Sequence, residues 1–136
     1  MNFKVIQPGQ EPYRKYDSDA GYDLKCRMDT AIYPESPTKI PTGVCVEIPW
    51  GYVGLIRARS SSSLKGLAIH GTIDSDYRGE IYLIANNMSG EMIRVKQGER
   101  IAQLVVVPCL IEPIEIVDEL PETERGSGGF GSTGQI

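Results

Sequence analysis

Sustained helical periodicity is missing from this chain. No stretch repeats apolar residues three and four apart for long enough to build a helical domain. Histidine is nearly missing too: His70 is the only one in 136 residues. A single imidazole is poor material for a metal site, and no Cys–His or Ser–His–Asp set is at hand for a nucleophile. Basic tracts and basic stripes with interleaved aromatics are lacking, and the net charge is -4. Both facts argue against nucleic acid as a partner. No apolar run nears the roughly 20 residues of a spanning helix. The segment Met1 to Gly9 carries no apolar core of a secretory signal. No membrane partner and a cytoplasmic location are therefore expected. Cysteine is sparse. Cys26, Cys45 and Cys109 fit no zinc or redox spacing and are expected as buried free thiols.

What the chain does have is short β-rich runs. Val44 to Ile48, Tyr52 to Arg59, Glu80 to Ala85, Ile101 to Val107 and Ile114 to Val117 are the clearest. Turn residues fall between them, at Pro41-Thr42-Gly43, Pro49-Trp50-Gly51, Asn86-Asn87 and Gln97-Gly98. The length suits one domain, and the pattern predicts an all-β fold, a jelly-roll-like barrel or sandwich. Ser60 to Gly66 is the local exception. Serine caps helices and glycine ends them, so a short helical turn is expected there. The C-terminal end differs in composition. Asp118 to Glu124 is acidic and broken by Pro121, and Arg125 to Gly134 sets glycines around the lone aromatic Phe130. The chain thus divides into a β core over 1–117 and a mobile Gly-rich arm over 118–136.

Five stretches carry candidate chemistry. Gly71-Thr72-Ile73-Asp74-Ser75-Asp76-Tyr77-Arg78-Gly79-Glu80-Ile81 reads as strand, tight turn, strand. Such a corner can hold a carboxylate and a ring beside one pocket and leave backbone groups free at its mouth. An Asp at a turn can equally be a solvated turn former. In Asp19-Ala20-Gly21-Tyr22-Asp23-Leu24 a carboxylate either forms a turn or holds a hydrated Mg²⁺. Arg59-Ser60-Ser61 is a capping segment or a phosphate seat, with a guanidinium fork and hydroxyls at a helix start. In Arg100-Ile101-Ala102-Gln103-Leu104, Gln103 is an outward position of an alternating strand, or an amide that orients a water or a phosphate oxygen. The arm is a plain linker, or a lid whose Arg125, Phe130, Ser132 and Thr133 order over a ligand. Together these parts suit water attacking a phosphorus, with positioning and electrostatics as the main catalytic terms.

In identity and order, the five stretches resemble the motifs of the trimeric dUTP diphosphatases (dUTPases), in a form close to the phage, retroviral and bacterial members. The resemblance spans nearly the whole chain. It implies a jelly-roll-like β domain, a homotrimer, and active sites that borrow residues from all three chains. It implies conversion of dUTP and water to dUMP and diphosphate, with Mg²⁺ on the triphosphate. That activity keeps uracil out of DNA and supplies dUMP for thymidylate synthesis. By motif position, Asp74 would be the general base and Gln103 the second catalytic group. Tyr77 would pack beneath the deoxyribose, where a ribose 2′-OH would clash. The backbone at Gly71, Thr72 and Ile73, and at Ile81 and Tyr82, would meet the uracil edge. Arg59, Ser60 and Ser61 would hold phosphates. Arg125, Ser132 and Thr133 would clamp the terminal phosphate, with Gly131 among the substrate-binding positions and Phe130 stacked on the base. Asp23 would reach Mg²⁺ through water.

Two departures stand out. Ala58 sits where many members have proline, and the segment between Arg59 and Asp74 is shorter than in many cellular members. His70, within it, is assigned no role beyond a satisfied loop or interface histidine. Two rivals follow. A dCTP deaminase shares the β fold and an Arg-Ser-Ser stretch, but Tyr77 and the complete arm motif argue against it. A nucleotide-dependent binding protein would use the same scaffold to signal, and the intact Asp74 argues against binding alone.

Overall fold

Alternating apolar residues become strands here wherever turn residues bound them. The computed structural model describes all 136 residues. Its elements are β1 Asn2–Val5, β2 Gly21–Lys25, β3 Thr30–Ile32, β4 Thr38–Pro41, β5 Val44–Glu47, β6 Tyr52–Ala58, α1 Ser60–Leu64, β7 Leu67–Ile73, β8 Tyr82–Asn87, β9 Ile93–Val95 and β10 Arg100–Pro108. A six-stranded sheet in the order β2-β10-β6-β7-β8-β4 dominates, flanked by the pairs β1-β5 and β3-β9. Every pairing is antiparallel. The all-β expectation holds, and no helix is long and apolar enough to cross a membrane.

Register is set by what must be buried. Leu104 sits opposite Tyr22 on β2 and Ile56 on β6, and Ile56 sits opposite Gly71 on β7. Leu104 and Ile56 are fully buried, within a core of 18 buried apolar residues. Burying a large aliphatic side chain stabilises by about 1.5–3 kcal/mol, so a one-residue slip in these strands would be costly. The alternate row, Asp23–Gln103–Arg57–His70, therefore faces outward. Gly54 on β6 lets the layers approach. A Cβ there would lie 2.5 Å from Ile48 Cδ1 and 2.8 Å from Leu104 Cδ1.

Three local expectations are corrected. Ile114 to Val117 forms no strand. Regular structure ends at Pro108, and Ile114 and Ile116 are both 90% exposed because no strand lies alongside to pair with them. The chain is exposed from Pro108 to Ser127. The cap of α1 is Arg59, not serine, and it makes no side-chain cap bond. The thiols are free as expected, but only Cys26 is buried; Cys45 is half-buried and Cys109 exposed.

Candidate active site

The polar cleft begins at a break in β10. A register shift between Arg100 and Ala102 puts two neighbours, Ile101 and Ala102, both in the core. A bulge of this kind re-aims the side chains around it. Gln103 then points into a cavity of about 360 Å³ lined by Asp23, Arg59, Ser60, Ser61 and itself. Of the two readings of Gln103, the sheet position is outward, and that outward face is the cleft. Gly21 makes room for it, because a Cβ at residue 21 would overlap the Gln103 amide oxygen and lie 3.0 Å from its Cβ.

Asp23 is held between two guanidinium groups. Its Oδ2 lies 3.3 Å from Arg59 Nε and 3.3 Å from Arg100 Nη1. Arg59 Nη1 also donates to the Arg100 carbonyl at 3.0 Å, and the Arg100 guanidinium stacks 4.3 Å over the Tyr13 ring. These contacts fix the Arg59 backbone at the start of α1. Since its side chain does not cap the helix, the first N–H groups of α1 and the exposed Ser60 and Ser61 hydroxyls face the cleft unspent. Two arginines balanced by one carboxylate leave net positive charge at this spot, as a phosphate seat needs.

The second group of residues is the β7–β8 hairpin. Strand β7 pairs with β8 only over Leu67 to His70. Gly71 to Ile73 pair with β6 alone, so the backbone edge they turn toward β8 is left open. The hairpin tip is exposed at Asp74, Asp76, Tyr77 and Arg78. Tyr77 is gripped at both ends: its N–H donates to the Asp74 carbonyl at 3.1 Å, and its hydroxyl donates to the Glu80 carbonyl at 2.7 Å. Gly79 lies under the ring, where a Cβ would come within 2.7 Å of Tyr77 Cζ. On the far arm, Ile81 is fully buried, its N–H bonded to Val44 O and its carbonyl to both Thr42 N and Oγ1. Ile81 thus anchors the hairpin and has no free backbone group for a base. Tyr82 beside it is exposed. Hydrogen bonding to the Glu80 carboxylate, and then its negative charge, raise the Tyr82 phenol above its ordinary 10.0.

The arm forms a chain of tight turns. Gly128, Ser132 and Gly134 donate their N–H groups to the carbonyls of Arg125, Gly129 and Gly131. Arg125 Nε donates to the Gly128 carbonyl at 2.7 Å. Arg125, Ser132 and Thr133 thereby share one concavity. Phe130, between two glycines, has φ 50° and a completely exposed ring. A bulky residue in the left-handed region is uncommon.

One chain does not bring the three groups together. The cleft lies beside α1, where Gln103 stands level with Arg57 and His70 across the sheet; Asp74 follows the end of β7. Four residues of β7 separate the two levels, a span of about 13 Å along the strand at about 3.3 Å per residue. No backbone hydrogen bond ties residues 110–124 to the β core, so the arm closes over nothing in its own chain. Sequence reasoning passed over Arg100 and Tyr13 as members of the cleft. Arg100 heads the Gln103 motif, and that position was the available signal; Tyr13 joins only by bridging Asp23 across an edge.

Residues 7–134 match the dUTPase family. A "Deoxyuridine 5'-triphosphate nucleotidohydrolase" of Cutibacterium acnes is 45% identical over 96% of this chain and 89% of its own length. One of Nautilia profundicola is 44% identical over 99% of this chain and all of its own. Among solved structures, a variant dUTPase of Staphylococcus bacteriophage 80alpha with dUpNHpp superposes with a TM-score of 0.88, 33% identity and 98% coverage of both chains. A variant phage phi11 dUTPase, described as revealing coordination of a structural Mg(II) ion, superposes at 0.77 with 28% identity, covering 87% of this chain and 96% of its own. With its cleft, its open hairpin and Arg125–Gly134 of its arm inside the matched span, this chain belongs to the dUTPase family.

Proposed function

We propose that the chain hydrolyses dUTP to dUMP and diphosphate, as a homotrimer whose active sites are shared between chains. The observation that carries this reading is the set of unspent polar groups in three separate places: a basic cleft, an open hairpin edge and a turn-rich arm. Each suits one part of the same ligand. Arg59, Ser60, Ser61 and Gln103 suit phosphates. The open backbone of Gly71 to Ile73, with Tyr82 across the mouth, suits the uracil edge. Cytosine would reverse one donor–acceptor pair there and leave groups unpaired. Tyr77 suits a sugar without a 2′-OH. Arg125, Ser132 and Thr133, with Gly131 between Phe130 and Ser132, suit the terminal phosphate, and Phe130 a flat base.

Asp74 acts as the base on this reading. Its exposed carboxylate takes a proton from a water aligned behind the α-phosphorus, and Gln103 orients that water or a phosphate oxygen. The about 13 Å of strand between Asp74 and the level of Gln103 exceeds hydrogen-bond reach several-fold. On this reading a second copy supplies the hairpin, and a third the arm. The outward sheet face supports such packing, with half-buried Val53, Leu55, Val105 and Val107 clustered on β6 and β10.

The donor set fits Mg²⁺ only in a hydrated, phosphate-borne form. No cluster of three acidic, histidine or cysteine side chains makes a cage. Asp23 Oδ2 serves two arginines, leaving Oδ1 for a metal-bound water. Mg²⁺ usually keeps several waters and binds through one or two carboxylates and substrate phosphates. Bound so, it would neutralise phosphate charge.

Diphosphate release from dUTP, dCTP, dTTP and UTP, each with and without Mg²⁺, tests the reading. Turnover of dUTP alone, stimulated by Mg²⁺, is expected. A folded Asp74→Asn protein that keeps the parental rate would overturn the assignment of the base.

A further inference from the structure

We propose that Glu80 and Arg27 form a positioning pair that holds Tyr77 in its deoxyribose-selective pose. The inference rests on reading Tyr77 as the sugar sieve. The hairpin tip is weakly supported. Its other ties are internal turns, such as Arg78 Nη1 to Ser75 O, and an exposed Arg78–Glu47 pair at 4.0 Å. The firm tie to the body of the protein is the Tyr77 hydroxyl on the Glu80 carbonyl. That carbonyl belongs to the Glu80–Ile81 peptide, whose N–H is bonded to Val44 O at 2.8 Å, and its remaining freedom depends on what holds the Glu80 side chain.

Glu80 is held with care. Its side chain is only 9% exposed. Arg27 Nη1 reaches Oε1 at 2.9 Å and Oε2 at 3.2 Å, and the Gly43 N–H donates to Oε1 at 2.8 Å. Arg27 is fixed in turn: its Nε donates to Gln7 Oε1 at 2.7 Å, and Gln7 Nε2 donates back to the Arg27 carbonyl at 3.2 Å. Its own N–H binds Pro41 O at 2.9 Å. A continuous relay therefore runs Gln7–Arg27–Glu80–Tyr77, from the N-terminal segment to the exposed ring. Charge-assisted hydrogen bonds to a nearly buried carboxylate are strong and directional. Losing Arg27 leaves the nearly buried carboxylate with only the Gly43 N–H and no counter-charge, so the tether loosens instead of relaxing harmlessly.

A sieve discriminates by refusing to yield. An aromatic ring free to shift by a fraction of an ångström admits an extra hydroxyl; a ring tied at both ends does not. The relay should thus govern dUTP-over-UTP preference more than dUTP turnover.

The test measures kcat and KM for dUTP and UTP in four single variants and one double variant. Tyr77→Ala removes the ring, Tyr77→Phe keeps the ring but cuts the tether, Arg27→Met removes the anchor, and Arg27→Lys keeps its charge. Tyr77→Phe and Arg27→Met should each lower the dUTP:UTP ratio of kcat/KM by about 10-fold, mainly through better UTP binding. Arg27→Lys should recover part of the loss. The Tyr77→Phe/Arg27→Met double variant should be no worse than either single one, since both cut one relay. Tyr77→Phe alters only an exposed hydroxyl and keeps the test open if Arg27→Met does not fold. If Tyr77→Ala relaxes selectivity while Tyr77→Phe preserves it, the relay is refuted and the sieve stands. If Tyr77→Ala changes nothing, the sieve itself falls, and the relay with it.

Discussion

Sharing of the active site can be measured by mixing two inactive proteins. One carries Asp74→Asn and an intact arm. The other ends at Arg125 and keeps Asp74. Within one chain, Asp74 lies four residues of β7 beyond the level of Gln103, about 13 Å along the strand at about 3.3 Å per residue. On the proposed reading, a site collects its cleft, hairpin and arm from different copies. Each protein alone fails at every site. After unfolding and refolding an equal mixture, a site works when its hairpin comes from the truncated chain and its arm from the Asp74→Asn chain. Random assembly of a closed ring gives each condition half the time, so activity should return to about a quarter of the parental value. Diphosphate release from dUTP reads the activity, and native mass spectrometry reads the mixed assemblies. Mixed oligomers with no recovered activity would show that hairpin and arm come from the same chain, and the three-chain site would be wrong.

Three other outcomes follow from the same structure. Removing residues after Arg125 should leave thermal unfolding unchanged, because no residue beyond Pro108 is buried, while dUTP turnover falls at least about 100-fold from loss of phosphate and base contacts. Gly54→Ala should destabilise the fold by about 1–3 kcal/mol in urea unfolding, since its Cβ would collide with Ile48 and Leu104. For Tyr82, the difference in absorbance titration between the parent and Tyr82→Phe should show a phenol ionising above 10.0, and Glu80→Gln should remove that lag. The sign is that of a group protonated longer in the folded state: its stabilisation is present below the unfolded value and is lost as pH rises through the folded one.

Ile114 to Val117 shows where local reading goes wrong. Alternation there looks like a strand, but a strand needs a neighbour to satisfy its backbone, and this chain offers none to that segment. The serine run misleads in a related way. Serine has the chemistry of a cap, yet Arg59 takes the cap position because Asp23 and the backbone of β10 hold it there. Gln103 was ambiguous for a different reason. Strict alternation has two phases, and the bulge after Arg100 changes the phase partway along the strand.

Local chemistry, read along the chain, was enough to reveal the β-rich class, the Asp74 corner, the Arg59 segment, the glycine-rich arm and the family they resemble. Those features live within a few residues of one another, where turn preference and side-chain alternation act directly. Only the packed molecule brought Asp23 between Arg59 and Arg100, turned Gln103 into the cleft, and joined Arg27 to Glu80 across 53 positions. It also set Asp74 about half of β7 away from the cleft of its own chain. Such pairings depend on which register buries Leu104 and Ile56 together, and that choice is made by the whole sheet at once, not by any segment of it.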